Sequence, residues 1–274
     1  MSSRFFDWVS QREDVYPKML VIDDFQDNPN LIDEIMKYEY MFYLGDLGFR
    51  LKNIKTKQFL SGALALFPDT FCWCAIDIED GFSKLPYPEI YDIPTVGFVG
   101  QCPVVQTDKG IAHIEGFRER TISLFKLMEE FKVCCDFHPR FHDYSKWYFN
   151  LPEERQKCNT PLFYINMKGN VYNLCVRGAG NYSQRLYETL ASGRIPVYVE
   201  SGGRLPFDHM HDYLSDPPFV YVTDLDKISE TVVEFHETHD LKVQMDKCYE
   251  LFKNHFTSEA QIRDFKKMVD GTQQ

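Results

Sequence analysis

One short stretch of the chain, Val171 to Glu200, carries arginine, glycine and serine side chains in an order that suits a phosphate group. Its glycines let the backbone approach a ligand closely, because they lack a Cβ. A predicted helix follows at once, and the free N–H groups and dipole at its N-terminus attract anions. Arginine supplies matching charge through bidentate hydrogen bonds. The residues expected to hold a diphosphate here are Arg177, Gly178, Gly180, Asn181, Ser183 and Arg185.

Glu188 follows one turn further along the predicted helix. Its carboxylate would repel a phosphate but suits a vicinal diol, such as the hydroxyl pair of a ribose. The helix should end at Gly193 and Ile195 should open the next strand, which places the loop at the carboxyl edge of a parallel sheet. Open α/β sheets bind ligands at that edge. The two glycines alone would fit an ordinary βαβ unit about as well as a ligand-binding one. The ordered set of arginine, glycine, serine and glutamate residues favours a nucleoside diphosphate site.

Other basic side chains could join the same site. His138 and Arg140 follow a predicted strand, and we expect one of them to line the base or phosphate pocket. Arg118 and Arg120 lie near the start of the preceding predicted helix. Either could reach the diphosphate, and the sequence does not choose between them.

Predicted strands and helices alternate along the second part of the chain, and these elements must position the candidate residues. Strands are short apolar runs, and helices carry apolar residues at helical spacing among charged ones. Such alternation predicts an α/β protein whose parallel sheet is covered by helices on both faces. The predicted strands are 95–99, 133–137, 171–176, 195–199 and 219–222, and the predicted helices are 115–132, 183–191, 226–237, 241–256 and 258–269.

The first part of the chain gives a weaker α/β pattern. It holds a predicted strand at 18–23, a predicted helix at 31–41, helical spacing at 57–67 and a predicted buried strand at 70–77. Residues 81–94 contain three prolines and few core-type residues, which is typical of a linker. We therefore expect three regions: an N-terminal α/β domain on the acceptor side over 1–92, a C-terminal Rossmann-like domain over 93–250, and a C-terminal helix over 251–274 that returns to the first domain.

Composition excludes several classes of protein. A formal net charge of −11 with a pI near 5.2 argues against a nucleic-acid partner, because binding a phosphate backbone requires a basic surface. No apolar run approaches the ~20 residues that cross a bilayer, and Met1 to Ser10 lacks the pattern of a secretory signal. The eight cysteines include apolar pairs at Cys72/Cys74 and Cys134/Cys135, which favours reduced, core-type thiols. We expect a soluble cytoplasmic protein, in the host cytoplasm if viral.

The diphosphate stretch resembles the signature of the exostosin-type glycosyltransferases. The resemblance is dense over about 35 residues and a looser one extends over most of the second domain. The dense part comprises Val176-Arg177-Gly178 through Ser183, Arg185-Leu186, Glu188, Ala191, Gly193, Ile195-Pro196-Val197 and Leu205-Pro206-Phe207, and the looser part comprises Pro94 to Gly100 and Thr223-Asp224-Leu225.

The resemblance implies a GT-B-like α/β fold, with two Rossmann-type domains facing a cleft and the N-terminal one reduced. It implies an inverting, metal-independent transfer from a nucleotide-sugar donor to an oligosaccharide or glycoprotein glycan. The implied donor is a UDP-sugar, with UDP-xylose as one candidate. The arginines and serine would hold the diphosphate and Glu188 the ribose, with Gly97 and Gly100 also at the donor. The short chain is similar to compact soluble members of bacteria and large DNA viruses, a chlorovirus xylosyltransferase among them. Retaining relatives carry a second glutamate where this chain has Gly180, which favours inversion.

An inverting transfer needs a base for the acceptor hydroxyl, and we expect it in the first domain. Asp77 is the first candidate, followed by Asp69 and Asp23. Each of them, taken alone, is more commonly a solvated acid or a helix cap.

Two patterns imitate metal sites. Asp224-Leu225-Asp226 is similar to the metal-binding DxD of another glycosyltransferase class, but its place between a strand and a helix favours capping. His138 and His142 are spaced as ligands on one helical face, and Pro139 between them argues against a regular helix. We therefore expect no metal and no other cofactor.

Two other functions fit the same pattern. A non-catalytic module that binds a nucleotide sugar or a glycan would keep the donor grip without the base. A nucleotide-sugar epimerase could use the same architecture. Slow hydrolysis of the donor would distinguish an enzyme from the non-catalytic module, which would show none. Analysis of the products formed without an acceptor would reveal an epimerase.

Overall fold

The computed structural model describes residues 11–12, 19–22, 40–43, 59–61, 83–102, 104–107, 110–113, 117–140, 162–177, 183–200, 205 and 210–271. The chain divides into two compact units. Unit 1 comprises Met1–Phe82, Gly202–Asp216 and Glu250–Gln274, and unit 2 comprises Ser83–Ser201 and Pro217–Tyr249. This division rests on contacts within the structure, and the domain boundaries expected from the sequence stay a prediction.

Unit 2 is built on a five-stranded sheet in which every described pairing is parallel. The strands in its chain order are β4 (Thr95–Gln101), β7 (Cys134–Arg140), β8 (Tyr172–Cys175), β9 (Ile195–Val199) and β10 (Val220–Val222). Their order across the sheet is β10-β9-β8-β4-β7. A hairpin of β5 (Val104–Thr107) and β6 (Gly110–His113) follows β4. The predicted α/β class with a parallel sheet is confirmed.

Helices connect these strands. They are α1 (Arg118–Glu129), α2 (residues 162–169), α3 (Gln184–Ala191), α4 (Ile228–Thr238, after a 3₁₀ turn at Leu225–Lys227) and α5 (Leu241–Leu251). All residues of β8 and β9 are buried, as expected for strands covered on both faces. The core includes Phe98, Leu127, Tyr172, Val197 and Val232.

A Schellman motif ends α3 and aims the chain into β9. Gly193 has φ of +62°, which an L side chain rarely adopts. The Gly193 N–H donates to the Leu190 carbonyl and the Arg194 N–H donates to the Thr189 carbonyl, both at 3.0 Å. The predicted helix end at Gly193 is confirmed.

Residues 83–94 belong to unit 2 and lie against the rest of it along their length. The Leu85 N–H donates to the Ser192 carbonyl, and Arg194 Nη2 donates to the Pro86 carbonyl at 2.7 Å. His236 Nε2 contacts the Tyr91 carbonyl at 2.9 Å. The segment that reads as a linker in the sequence is thus tied to the unit by hydrogen bonds.

Unit 1 contains a three-stranded parallel sheet and C-terminal helical turns. Its strands are β1 (Met19–Ile22), β2 (Tyr40–Tyr43) and β3 (Phe59–Ser61), in that order across the sheet. Leu251 continues into a π-helical turn, Phe252–Phe256, and then α6 (Ser258–Gly271) follows. Within the described ranges, no helix combines the length and the apolar character that crossing a bilayer requires.

Two predicted helical regions are contradicted where the structure describes them, and one prediction of burial is wrong. The helical spacing at 57–67 contains strand β3, and the last two residues of the predicted helix at 31–41 lie in strand β2, because side-chain spacing cannot separate a short apolar run of strand from one of helix. The other residues of these two ranges lie outside the described part of the chain. Cys134 and Cys135 do lie in a strand, but Cys134 is exposed and Cys135 half-buried. The cysteines of the described residues are free thiols, as expected. Cys72 and Cys74 lie outside the described residues.

Candidate functional site

The strand order of unit 2 creates a point where the chain changes direction across the sheet. β4 is the first strand of the sheet, β7 joins it on one side, and β8, β9 and β10 are added in turn on the other side. The connections that leave β4 and β8 therefore diverge. In open α/β sheets, the carboxyl ends of the two strands at such a switch point form the usual ligand-binding crevice.

Arg185 brings a positive charge to the end of β4. It lies in the first turn of α3, which Ser183 precedes as the N-cap residue. Its guanidinium carbon is 4.5 Å from the centroid of the Phe98 ring, and Nη2 donates to the carbonyl of Val99. Phe163 of α2 packs on the same guanidinium at 5.2 Å. The side chain is thus held between two rings and a strand end.

Arg120 brings a second positive charge to the end of β8. Its Nη2 donates to the carbonyl of Val176, directly after β8, at 3.1 Å. Its guanidinium carbon is 5.6 Å from the Phe98 ring and 5.0 Å from the Phe117 ring. Arg118 on the same helix is exposed. The structure therefore places Arg120, and not Arg118, beside Arg185.

The two guanidinium groups influence each other. Burial and, after it, the charge of Arg185 lower the pKa of Arg120 to about 10, so this guanidinium stays protonated at neutral pH. Burial raises the pKa of the neighbouring Cys102 thiol to about 11, against the opposing pull of both arginines. Two cations held this close repel each other, and an anion bound beside them relieves that repulsion.

Ser183 and Arg177 lie next to this pair in the sequence. The Ser183 side chain is buried and makes no capping hydrogen bond to α3, although its backbone carbonyl accepts from Leu186. Arg177 is half-buried, and its Nε has no hydrogen-bond partner within the described part of the chain. Glu188 lies half-buried further along α3. The roles assigned to these side chains stay predictions.

The absence of a side chain at Gly100 leaves space for Phe98 and Arg185. A Cβ at this position would lie 2.9 Å from Phe98 Cζ and 3.2 Å from Arg185 Nη2. Gly97 serves another purpose, because a Cβ there would lie 2.6 Å from Asn166 Oδ1 and 2.8 Å from Asn170 Nδ2. Gly100 thus borders the arginines, and Gly97 makes space for asparagines that surround β4.

His138 belongs to a polar network at the edge strand β7. Its Nε2 is 2.9 Å from Asp136 Oδ1, while Asp136 Oδ2 accepts from Asn166 at 2.7 Å and from Asn170 at 2.9 Å. The strand includes Pro139, so no helical face joins His138 to position 142. For Arg140 only the backbone, at the end of β7, is described. His138 is therefore an exposed side chain held by a carboxylate.

Asp224 of the Asp224-Leu225-Asp226 pattern caps the 3₁₀ turn that leads into α4. The Asp224 carboxylate accepts from the Asp226 N–H at 3.0 Å, and the Asp226 carboxylate is 3.0 Å from Lys126 Nζ. The predicted capping role of Asp224 is confirmed.

Several predicted site residues lie outside the described part of the chain. They are Gly178, Gly180 and Asn181 of the diphosphate loop and the candidate bases Asp77, Asp69 and Asp23. All remain predictions.

Sequence reasoning missed the aromatic side chains that hold the arginines. Phe98 lies between Gly97 and Gly100, in a run that was assigned to the donor for its glycines. Phe163 lies in α2, in a stretch that seemed polar and broken by proline. The pairing of Arg120 with Phe117 had one available signal, since an aromatic residue three positions before an arginine at a helix start can lie under it.

The comparisons with known proteins show no family. No protein-family model matches the chain, and no curated protein does. Among solved structures, the fold is similar to that of a mutant of S. aureus TarM in complex with fondaparinux, α-GlcNAc-glycerol and UDP, with a TM-score of 0.44 and 11% identity. The match covers 91% of this chain and 50% of that one, so the chain spans half the length of that protein. A likeness this loose carries no conclusion about ligands or activity.

Proposed function

We propose that this protein is a glycosyltransferase whose unit 2 binds the diphosphate of a nucleotide sugar. One observation carries the proposal: Arg120 and Arg185 meet on Phe98 and bind the carbonyls at the carboxyl ends of β8 and β4, the two strands that flank the switch point. Buried guanidinium groups are the preferred ligands of phosphate oxygens. The helix N-terminus at Ser183 adds a third attraction for an anion.

The transfer step is supported by the exostosin-type pattern of the same segment. In that pattern Arg177, Ser183 and Arg185 hold the diphosphate, and Glu188 holds the ribose of a UDP-sugar. Arginines neutralise the leaving diphosphate, as Mg²⁺ does in other enzymes, and this supports a metal-independent reaction. Gly180, in place of a second glutamate, supports inversion. The base would come from unit 1, with Asp77, Asp69 and Asp23 as candidates, and the acceptor would be a glycan.

A donor screen tests this proposal. The purified protein is incubated in EDTA with UDP-, GDP- and other nucleotide sugars, alone and with a mixture of oligosaccharides, and release of nucleoside diphosphate is followed. We expect one nucleotide class to be hydrolysed slowly alone and faster with an acceptor, and the product to have inverted anomeric configuration by NMR. Binding without any release would indicate a non-catalytic module, and a new sugar isomer without acceptor would indicate an epimerase. Failure of every nucleotide sugar to bind would refute the proposal itself.

A further inference from the structure

A cluster of metal-ligand side chains lies in unit 1, apart in sequence from the arginine site. His211, His255 and Asp264 each offer one ligand atom, and these atoms all lie within 4.8 Å of one another. His211 Nε2 is 2.8 Å from Asp264 Oδ2, and the two imidazole rings are 4.4 Å apart between centroids. We propose that these three side chains form a binding site for a divalent transition-metal ion, with Zn²⁺ the preferred ion.

The carboxylate is already oriented for this role. The Asp264 side chain has no exposed surface, and its Oδ1 accepts from Arg263 Nε at 3.0 Å. That contact fixes the carboxylate and leaves Oδ2 toward His211, as an outer contact does for the ligands of established metal sites. Arg263 and Lys267, whose Nζ is 3.9 Å from Oδ1, also repel a cation. The site should therefore bind more weakly than a closed structural zinc site.

His255 has a buried ring nitrogen that is available to a metal ion. Its Nδ1 is buried and has no hydrogen-bond partner within the described residues. A buried imidazole nitrogen without a partner is uncommon, because a nitrogen that loses water on burial is destabilised unless another bond replaces it. His255 also lies in the π-helical turn Phe252–Phe256, a rare conformation that is frequent at functional sites. A bound ion would give both imidazoles a ligand bond.

The distances suit zinc once the side chains close around it. Zinc bonds of about 2.0–2.2 Å to nitrogen and oxygen place neighbouring ligand atoms of a tetrahedron about 3.3 Å apart. The contact between His211 and Asp264, now 2.8 Å, would need to open by about half an ångström, and ligand atoms that lie up to 4.8 Å apart would need to approach by up to about 1.5 Å. On binding, two metal bonds replace the hydrogen bond between them. The proton on His211 Nε2 passes to solvent while Nδ1 takes one up, so that the ring coordinates as a neutral imidazole. Imidazole nitrogen favours Zn²⁺ over Mg²⁺ or Ca²⁺, and water completes the four ligands.

The site would tie two parts of unit 1 together. His211 lies in the segment before Asp216, whereas His255 and Asp264 lie in the C-terminal turns. Tyr213 covers the pair, with its ring 5.4 Å from each imidazole ring. Bound Zn²⁺ should therefore stabilise unit 1, independently of any nucleotide in unit 2.

Metal binding by the full chain tests the proposal. The protein is stripped with a chelator and returned to Zn²⁺, and bound metal is counted by mass spectrometry, with affinity measured against a chromophoric chelator. We expect about one Zn²⁺ per chain and a higher Tm with metal. The variants H211Q and H255Q should each lose at least about tenfold in affinity. H239Q is the matched control, since His239 is exposed and contacts the Phe235 carbonyl and Thr238 of α4 instead, and it should bind as the parent does.

Circular dichroism checks that each variant is folded, and if H255Q is not, H211Q alone decides, because its side chain is 23% exposed. Co²⁺ gives a second measurement, with the visible absorption of a tetrahedral site expected in the parent and H239Q and lost in H211Q. Absence of stoichiometric Zn²⁺ in the parent would overturn the proposal. Equal affinity of H211Q and the parent would overturn it as well.

Discussion

Phe98 determines where the two arginines of unit 2 lie, because its ring contacts both guanidinium groups. The sequence predicted Arg185 as a phosphate ligand from its place in the helix start, and it named Arg120 only as an alternative to Arg118. It could not separate these two, since the choice depends on which arginine of α1 reaches the Val176 carbonyl after β8. The spacing of neighbouring residues cannot predict a contact between Arg120 and Val176, which lie far apart in the sequence. The glycines beside Phe98 were visible, but their partners were not.

Gly100→Ala tests whether space at the ring matters for binding. The new Cβ would meet Phe98 Cζ at 2.9 Å and Arg185 Nη2 at 3.2 Å, so the guanidinium must move. We expect UDP to bind at least about tenfold more weakly, or about 1.4 kcal/mol, as measured by calorimetry. Gly169→Ala is the matched control, because a Cβ there meets nothing within 4 Å, and it should leave binding unchanged. An unchanged affinity in Gly100→Ala would contradict this role.

At the scale of elements, β9 and the helix that precedes it show what sequence predicts well. The strand at 195–199 lies where it was expected, because a Gly193 helix end and an apolar β-branched run are both local signals. Strand β3 shows the opposite case. Its residues pair with β2, Met41 opposite Phe59, and this non-local pairing overrides their helical spacing. Sequence also missed α2, where the buried Asn166, and Asn170 directly after the helix, carry no helical signal but bind Asp136.

Arg194→Ala should destabilise unit 2 strongly. The side chain is fully buried, and its guanidinium donates to the carbonyls of Met167 and Lys168 at the end of α2 and of Pro86 in the segment before β4. Removal takes this donor away from the buried Met167 carbonyl and from two part-buried carbonyls and leaves a cavity in the core, and we expect a loss of about 3 kcal/mol or more in the free energy of unfolding. Urea denaturation measures it, with the exposed Arg118→Ala as control. A loss below about 1 kcal/mol would show that the contacts are incidental.

Asp224→Ala separates capping from metal binding. The variant loses the hydrogen bond to the Asp226 N–H, so we expect a stability loss of about 1 kcal/mol. Nucleotide binding should be the same as in the parent, with or without divalent ions. Thermal unfolding and UDP titration measure the two effects. A loss of metal-stimulated turnover in this variant would instead support the DxD interpretation.

At the scale of the whole molecule, the sequence predicted the α/β class and the parallel sheet, since both follow from alternating patterns. It predicted that residues 251–274 return to the first domain, but it gave no sign that Gly202–Asp216 belong to unit 1. Such a division depends on contacts between distant segments, and residues 83–94 show this well. Their prolines suggested a free linker, yet hydrogen bonds tie them to α3 and to the helices that follow β10.

One of these ties should depend on pH. Lys84 Nζ and the Tyr87 hydroxyl each lie 2.6 Å from Asp246 Oδ1, and the hydrogen bonds from Lys84 and then Tyr87 lower the pKa of Asp246. A carboxyl whose pKa is lower in the folded state stabilises the protein above its unfolded pKa of about 3.9, and this contribution is lost as the pH falls through the folded value. The groups are half-exposed, so the effect should stay below about 1 kcal/mol.

Asp246→Asn should therefore be slightly less stable than the parent at neutral pH, and this difference should shrink below about pH 4. Urea denaturation at a series of pH values measures it. A difference that stays constant into acid would mean that the charge of Asp246 contributes nothing.

Calorimetric titration of UDP in EDTA, into the parent, Arg185→Ala and Arg118→Ala, tests the central claim most directly. Arg185 lies against Phe98 at the end of β4, whereas Arg118 is exposed on the helix that carries Arg120. We predict the same affinity in the parent and in Arg118→Ala, and a loss of at least about tenfold in Arg185→Ala. Binding of UDP to Arg185→Ala with the parent's affinity, or no binding to the parent, would contradict the account.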